Sequence, residues 1–550
     1  MSKPGSKQHN ASVTTPLRKR VMILLSWVGL WLKKTLTRLW GAVPGVKRHS
    51  ASPGVTDTGS GQVDSEWKTN EALCTYPPGG GEETTVTVQT SSCAFHVDLG
   101  RLSECSEYFR ALSRSTMRET SESLVHLEHV SSSVFRNLLE FSFLGQFNVP
   151  QEELGTHIQV SSYLLAEAFL SRCLSVLADK LSPGNCLSYL NLAREICCLE
   201  LKMTVFTYLS RNLLELPHLV TCLTNAEKDK VVQMRKLGDK RLCSLRKENL
   251  TSWSDPETER AQHVFSLKEP GDGGGGWHPI TQLPFTADKW CFTAVVLHNY
   301  LYILGGHRQP VKRGWEFKMA SFRYNPFTHS WFPTAPLIKH RRHFSAVACE
   351  GCIYAVGGWY LDSLVTPDSN TALYTAVECY DPWEDTWRFV SSLPLNDFTV
   401  SLSHDVPLAT GLGHCLYVLG SIQRTGEKLL LQYDTRRDSW CELLPTLTRA
   451  AADLPALYFL GATDRLHVIG GNNSGNVVTS FCVQSQKWGQ VHTAEKVGFA
   501  GQGTVADKQV FMPSIEHNSV ARMDLQTLSL RVLPPLPIST RYEAVFYLHF

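Results

Sequence analysis

Four times between residues 324 and 488 an aromatic residue is followed by tryptophan seven positions later: YNPFTHSW from Tyr324, YDPWEDTW from Tyr380, YDTRRDSW from Tyr433 and FCVQSQKW from Phe481. A fifth copy, MDLQTLSL from Met523, keeps the spacing with both aromatics lost. In the first three, Asn or Asp opens a turn and Ser or Thr closes it, while Pro326 and Pro382 pre-set the next φ angle in two of them, so each unit reads as a β-hairpin. A second hairpin precedes each: AVVLHNYLYILGG, AVACEGCIYAVGG, GHCLYVLGS, DRLHVIGG and GTVADKQVFMP are apolar, mostly around a polar turn, and end near Gly305, Gly357, Gly420, Gly470 and Pro513. These landmarks step by 52, 63, 50 and 43 residues. Two hairpins per unit make a four-stranded sheet, and such sheets repeated radially make a β-propeller.

Both ends of the repeat region fit a closed ring. Trp277 precedes Gly305 by 28 residues, inside the 25 to 33 that separate each later Trp from the next landmark, so it reads as the outer strand of an extra blade. The terminal RYEAVFYLHF reads as an inner strand that starts a blade and stops. Six blades is the expected count, with five and seven left open.

The repeat resembles the kelch family over roughly residues 254–550. Ahead of it, TTVTVQT, CAFHVDLGRLSECSEYFRAL and SSYLLAEAFLSRCLSVLADKL suggest a small α/β domain, with Leu164, Leu165, Ala168, Phe169, Cys173 and Leu177 at helical spacing. NCLSYLNLAREICCLELKMTVFTYLSRNLLEL then reads as two apolar-striped helices, with more helix to about residue 250. SEYFRAL resembles the Ser-x-Tyr-Phe helix end of BTB domains, and NCL at Asn185–Leu187 resembles the start of a BACK domain. The whole is similar to the kelch-like (BTB-BACK-kelch) family. The fold expected is therefore multidomain: a basic apolar leader and flexible linker (1–83), an α/β BTB domain (84–180), an all-α BACK domain (181–253) and an all-β kelch β-propeller (254–550). Val97 follows His96 where the family carries Arg, and a linker replaces the family's N-terminal helix and strand, which leaves dimerisation through BTB open.

Residues 1–56 hold ten Lys and Arg and no acid, so the rest of the chain carries a net charge of −8 and has no general affinity for nucleic acid. Within the leader, Val21–Leu32 is a mostly apolar run of 12 residues between basic clusters. As a helix it spans about 18 Å against a hydrocarbon core of about 30 Å, too short to cross. A membrane-surface helix over residues 17–40, a targeting presequence and a silent or partner-bound tail stay open; KKTLTRLW follows where a secretory cleavage site would need small residues. The 16 cysteines lie scattered in apolar segments, which fits a reducing, cytoplasmic setting.

No catalytic set, cofactor motif or metal site is legible. Cys349 and Cys352 flank a hairpin tip without a second pair or His, GDGGGGW lacks the Lys-Ser/Thr of a phosphate loop, and His343 with Ser345 lacks a nucleophile elbow. What the resemblance implies is cullin-3 binding through a hydrophobic-x-Glu motif after the Tyr-Phe helix, a place occupied by Met117-Arg118-Glu119. Met117 would fill an apolar pocket and Glu119 would fix the turn or accept a hydrogen bond; an ordinary exposed loop is the alternative. On the propeller, loops after the Gly-Gly strands and loops entering the next blade bring together His307, Arg308, Arg341, Arg342, Trp359, Tyr360, Arg424, Arg449 and Arg541. That composition suits an acidic protein segment, against the alternative of a solvated rim. The function expected from the resemblance is a non-catalytic substrate adaptor of a cullin-3 RING ubiquitin ligase. The alternative is a non-ligase kelch scaffold, cytoskeletal or membrane-associated.

Overall fold

The computed structural model describes residues 72–76, 85–114, 123–247, 262–268, 275–285, 292–308, 316–317, 320–341, 343–358, 375–394, 398–400, 402–403, 406–422, 424–447, 456–472, 475–499, 501–537 and 543–550. All belong to one of the chain's two compact units, Glu71–Phe550, and the leader at 17–40 lies outside the described residues.

Alternation builds the first sheet. Thr85–Gln89 pairs antiparallel with Cys93–Asp98, and Val86, Val88, Phe95 and Val97 are all buried. Leu124–His126 adds in parallel on one side and Ala72–Tyr76 on the other, so part of the stretch expected as linker is an edge strand. Asp98 caps the helix Leu99–Cys105, and Ser106, which ends it, caps the next helix, Glu107–Ser113, by accepting from the Phe109 N–H. Ser132–Leu139, Leu154–Tyr163 and Glu167–Lys180 complete this α/β module. The expected stripe on the last helix shifts: Phe169, Leu170, Cys173, Leu174 and Leu177 are buried, whereas Leu165 and Ala168 are exposed. Leu165 takes a φ of +52° in the turn between the two helices, so helical spacing begins only at Glu167.

A helical module follows, comprising Cys186–Glu195, Leu199–Arg211, Pro217–Val220 and Asn225–Met234. Its last helix carries a capping box, with Thr224 and Glu227 bonded reciprocally. Glu227 also accepts from Arg194 and Lys202, both at 2.7 Å. Burial pushes the Glu227 carboxyl up, but these bonds outweigh it and bring it down to about 2 from an ordinary 4.5. A depressed carboxylate contributes fully above the higher value and loses its contribution as pH falls toward the lower one. Glu227→Gln is expected to lower stability by about 1–3 kcal/mol at pH 7. In acid denaturation followed by circular dichroism, its difference from wild type should shrink between pH 4.5 and about 2.

Among the described residues the remainder forms six sheets of four or five strands, the blades of a propeller, and two two-stranded ribbons. The first blade is Thr293–Leu297, Tyr300–Leu304, Ser321–Asn325 and Ser330–Thr334; the second is Ser345–Cys349, Cys352–Val356, Val377–Asp381 and Thr386–Val390. The third centres on Ala409–Leu412, Cys415–Ile422, Lys428–Asp434 and Ser439–Leu447. The fourth centres on Ala456–Ala462, Arg465–Asn472, Gly475–Cys482 and Lys487–Trp488; the fifth is Thr504–Ala506, Gln509–Ser514, Ser519–Asp524 and Leu530–Val532. The closing blade joins both ends, with Glu543–His549 innermost against Lys240–Arg246, then His263–Lys268 and Gly276–Gln282. Propeller strand thus begins at Lys240, inside the stretch expected to be helical to about residue 250.

The repeated aromatics explain why the ring holds. Tyr324 and Trp331, Tyr380 and Trp387, Tyr433 and Trp440, and Phe481 and Trp488 are direct cross-strand partners with ring centroids 5.0–5.2 Å apart. Each indole N–H then donates to the preceding blade: Trp331 to Thr281, Trp387 to Ala335, Trp440 to Ser391 and Trp488 to Pro445, at 2.8–3.0 Å. Trp277 closes the ring by donating to the Pro534 carbonyl at 2.9 Å.

Candidate functional site

The helical module and the propeller meet through a buried polar joint. Arg235, one residue past the helix Asn225–Met234, is fully buried. Its Nε donates to the His298 carbonyl at 2.7 Å and its Nη2 to the Asn299 carbonyl at 3.1 Å and to Asn325 Oδ1 at 3.2 Å; Nη1 donates to the Ser210 carbonyl. The guanidinium carbon stands 3.8 Å from the Tyr300 ring centroid. The Tyr300 hydroxyl in turn donates to Glu215 Oε2 at 2.7 Å and accepts from the Leu214 N–H at 3.1 Å. Arg323 donates to the Leu214 carbonyl at 2.9 Å, and Asn325 to the Arg211 carbonyl at 2.7 Å. Around this joint one apolar core runs from Val86 and Phe95 of the first sheet, through Leu209 and Leu213, to Tyr302, Tyr380 and Trp387 of the first two blades. The joint engages the turn between the first two strands of the first blade, at His298 and Asn299, which leaves the loops at the other ends of the strands to face elsewhere.

Along the propeller axis runs a channel of about 320 Å3, lined by the innermost strands of the first five blades and by Lys247. Its walls are close: a Cβ at Gly461 would meet the Gly411 carbonyl oxygen of the neighbouring blade at 2.8 Å. Two channel hydroxyls are engaged by backbone, Thr293 donating to the Phe344 carbonyl at 2.8 Å and Thr410 accepting from the Gly461 N–H at 2.9 Å.

The expected basic face divides on inspection. Arg341 is fully buried, as is Glu378, with which its guanidinium pairs; its Nη1 also donates to the carbonyls of Gly357 at 2.9 Å and Ala376 at 3.1 Å. It anchors the segment entering the second blade and does not present its charge to solvent. Arg424 is exposed, in the turn between the second and third strands of the third blade. His307 and Arg308 form a two-residue strand paired with Glu316–Phe317 directly after Gly305-Gly306. Arg342, Trp359, Tyr360, Arg449 and Arg541 lie outside the described residues, as do Met117 and Glu119. Cys349 and Cys352 are register partners across the Glu350-Gly351 tip. Burial raises the Cys349 thiol to about 12, which suits a packed thiol and not a nucleophile.

The joint at Arg235 carried no sequence signal: VVQMRKLGD reads as an ordinary basic helix end, and the acceptors it meets are mostly backbone carbonyls. Burial of Arg341 had one available hint, an acid at position 378 between the apolar Val377 and Cys379 of the strand VECYD.

Comparison with known proteins fits this architecture. The BTB/POZ domain model matches residues 80–181, and the kelch motif model matches residues 340–394. The chain thus carries a BTB domain followed by a kelch motif. It is 24 % identical over 460 residues to human Kelch repeat and BTB domain-containing protein 2, covering 68 % of this chain and 70 % of that one. Human Kelch-like protein 23 is 22 % identical over 406 residues, covering 61 % of this chain and 70 % of that one. Mouse Kelch domain-containing protein 7A is 32 % identical over 269 residues, which are 48 % of this chain but only 30 % of that protein's length. The BTB match covers three strands of the first sheet and its helices, and the kelch match covers the Arg341 anchor and the second blade.

Proposed function

We propose that this BTB-kelch protein is a substrate adaptor of a cullin-3 ubiquitin ligase, non-catalytic itself, with BTB and a BACK-like helical module docking the cullin and the propeller holding a target. The observation that carries this reading is the buried joint at Arg235, together with the single core that continues across it. An adaptor contributes proximity, and proximity requires that the bound target keep a fixed position relative to the docked ligase. A propeller tethered by a loose linker would not supply that.

On this reading Met117 enters an apolar pocket of the cullin and Glu119 holds the loop that presents it. The target is a protein with an acidic segment, taken up by His307, Arg308, Arg342, Trp359, Tyr360, Arg424, Arg449 and Arg541 on the propeller loops. Arg341 is withdrawn from this set because its charge is spent on Glu378. The test is a pull-down of cullin-3 by the wild-type chain and by the double variant Met117→Ala with Glu119→Ala. Capture by wild type should fall at least tenfold in the variant, as loss of an interface anchor of about 2 kcal/mol or more requires. Absence of cullin-3 from both samples would sink the adaptor reading and leave the non-ligase scaffold.

A further inference from the structure

Five of the six seams between blades carry the indole bond described above, and the seam between the fourth and fifth blades is the exception. There the fifth copy of the repeat has Leu530 at the tryptophan position, opposite Met523 at the tyrosine position. The loss is matched on the facing blade. Three residues before the landmark glycines stand Tyr302, Tyr354 and Tyr417 in the first three blades, but His467 in the fourth. Tyr302 and Tyr354 each pack against the tyrosine of the next blade, Tyr380 and Tyr433, at 5.7 and 6.0 Å between centroids. Two aromatic groups are therefore missing from one seam and a smaller imidazole stands for a third, and a cleft of about 670 Å3 occupies it.

The lining of the cleft is basic. Arg465 and His467 reach it from the fourth blade, Lys508 from the fifth, and His492 from the place where Ala335 and Ser391 receive the indole in other seams. Asp464 is the one carboxylate among the lining residues, and it makes no ion pair with these cations among the described residues. Arg465 has only a long contact, 3.4 Å, to Ser480 Oγ. His467 is 9 % exposed, and no described residue hydrogen-bonds to its ring. Burial, and after it the charge of Arg465, hold its imidazole below the ordinary value. Val478, Leu525 and Leu528 add apolar wall to the same space.

We propose that this seam is a binding site for a small organic phosphate. Arg465, Lys508 and His492 are exposed at the cleft and are not committed to carboxylate partners among the described residues, so an anion seated among them gains charge-assisted hydrogen bonds without displacing an ion pair. Arg465 and Lys508 supply charge-assisted hydrogen bonds to phosphoryl oxygens, and His467 and Ser480 complete the donor set. The cleft lies within the range of roughly 300–1,000 Å3 that small-molecule sites occupy, larger than phosphate alone needs, so the apolar side takes an organic portion.

The test is calorimetric titration of the full-length chain with adenosine diphosphate and, separately, with inorganic pyrophosphate. Saturable one-to-one binding of adenosine diphosphate is expected, weaker for pyrophosphate, and lost by roughly tenfold or more in Arg465→Ala with Lys508→Ala, whose side chains are exposed enough to leave the fold intact. His467→Tyr restores the aromatic of the other blades; it should abolish binding while raising the thermal midpoint. The proposal is overturned if neither probe gives saturable binding, or if affinity is unchanged in the Arg465/Lys508 variant, because such binding belongs to the basic leader. Pyrophosphate binding as tightly as adenosine diphosphate overturns the organic part.

Discussion

Arg235→Ala is expected to cost about 3–5 kcal/mol of stability, the range for removing one member of a buried ionic network. The side chain is fully buried and gives four hydrogen bonds, three of them to backbone carbonyls that have no other described donor at that place. Truncation leaves those acceptors dry and unpaired, and it also strips the face of Tyr300. Burial lowers the Arg235 guanidinium from its ordinary value, but a guanidinium stays charged, so the residue cannot escape the cost by losing its proton. Arg235→Lys keeps the charge yet presents a compact ammonium in place of a planar fork, and it should recover less than half of the loss. The measurement is urea denaturation followed by tryptophan fluorescence. Hydrogen exchange supplies a local readout: amides of Leu214 and Asn299 should lose protection together in Arg235→Ala, while those of Val418 and Leu431 in the third blade should not. Equal loss across the whole propeller would contradict a joint that acts locally.

How much of this was legible follows from the range of each signal. A tyrosine and a tryptophan seven residues apart are one cross-strand contact, so the contact, the hairpin and the blade are written in a single octapeptide. The ring's closing blade was legible at Trp277 and at the terminal strand because each repeats a pattern seen elsewhere in the chain. Its second strand was not: KRLCSLR has no glycine landmark, follows a helix after five residues, and becomes a strand by pairing with Glu543–His549, some three hundred residues later. A propensity reading has no access to a partner at that distance. Ala72–Tyr76 was missed for the same reason, since its short apolar run gains meaning only beside Cys93–Asp98. The candidate surface was read less well than the fold. Basic residue type located the loops, but type alone does not separate an arginine exposed to solvent, such as Arg424, from one consumed inside a blade.

That distinction makes Arg341 the sharper test of how the loops are held. Arg341→Ala should cost about 3–5 kcal/mol, because Glu378 would remain as an unpaired carboxylate with no exposure. Glu378 is not held by the arginine alone: it also accepts from the N–H groups of Ile338 at 2.7 Å and Lys339 at 3.2 Å. The pair thus binds three things into one place: the segment entering the second blade, the third strand that carries Glu378, and the strand end at Gly357. Arg341→Ala with Glu378→Ala removes both charges and should recover a large part of the single-variant loss, as expected where uncompensated charge and not packing dominates. A thermodynamic cycle over wild type, the two single variants and the double measures this coupling. A double variant no more stable than Arg341→Ala would mean that the backbone bonds to Gly357 and Ala376, and not the ion pair, hold the loop. On the proposed function, the same cycle read by target capture has a definite direction. Loss of capture should follow loss of the anchor in the single variants, because Arg341 never touches the target and acts only by positioning the loops that do.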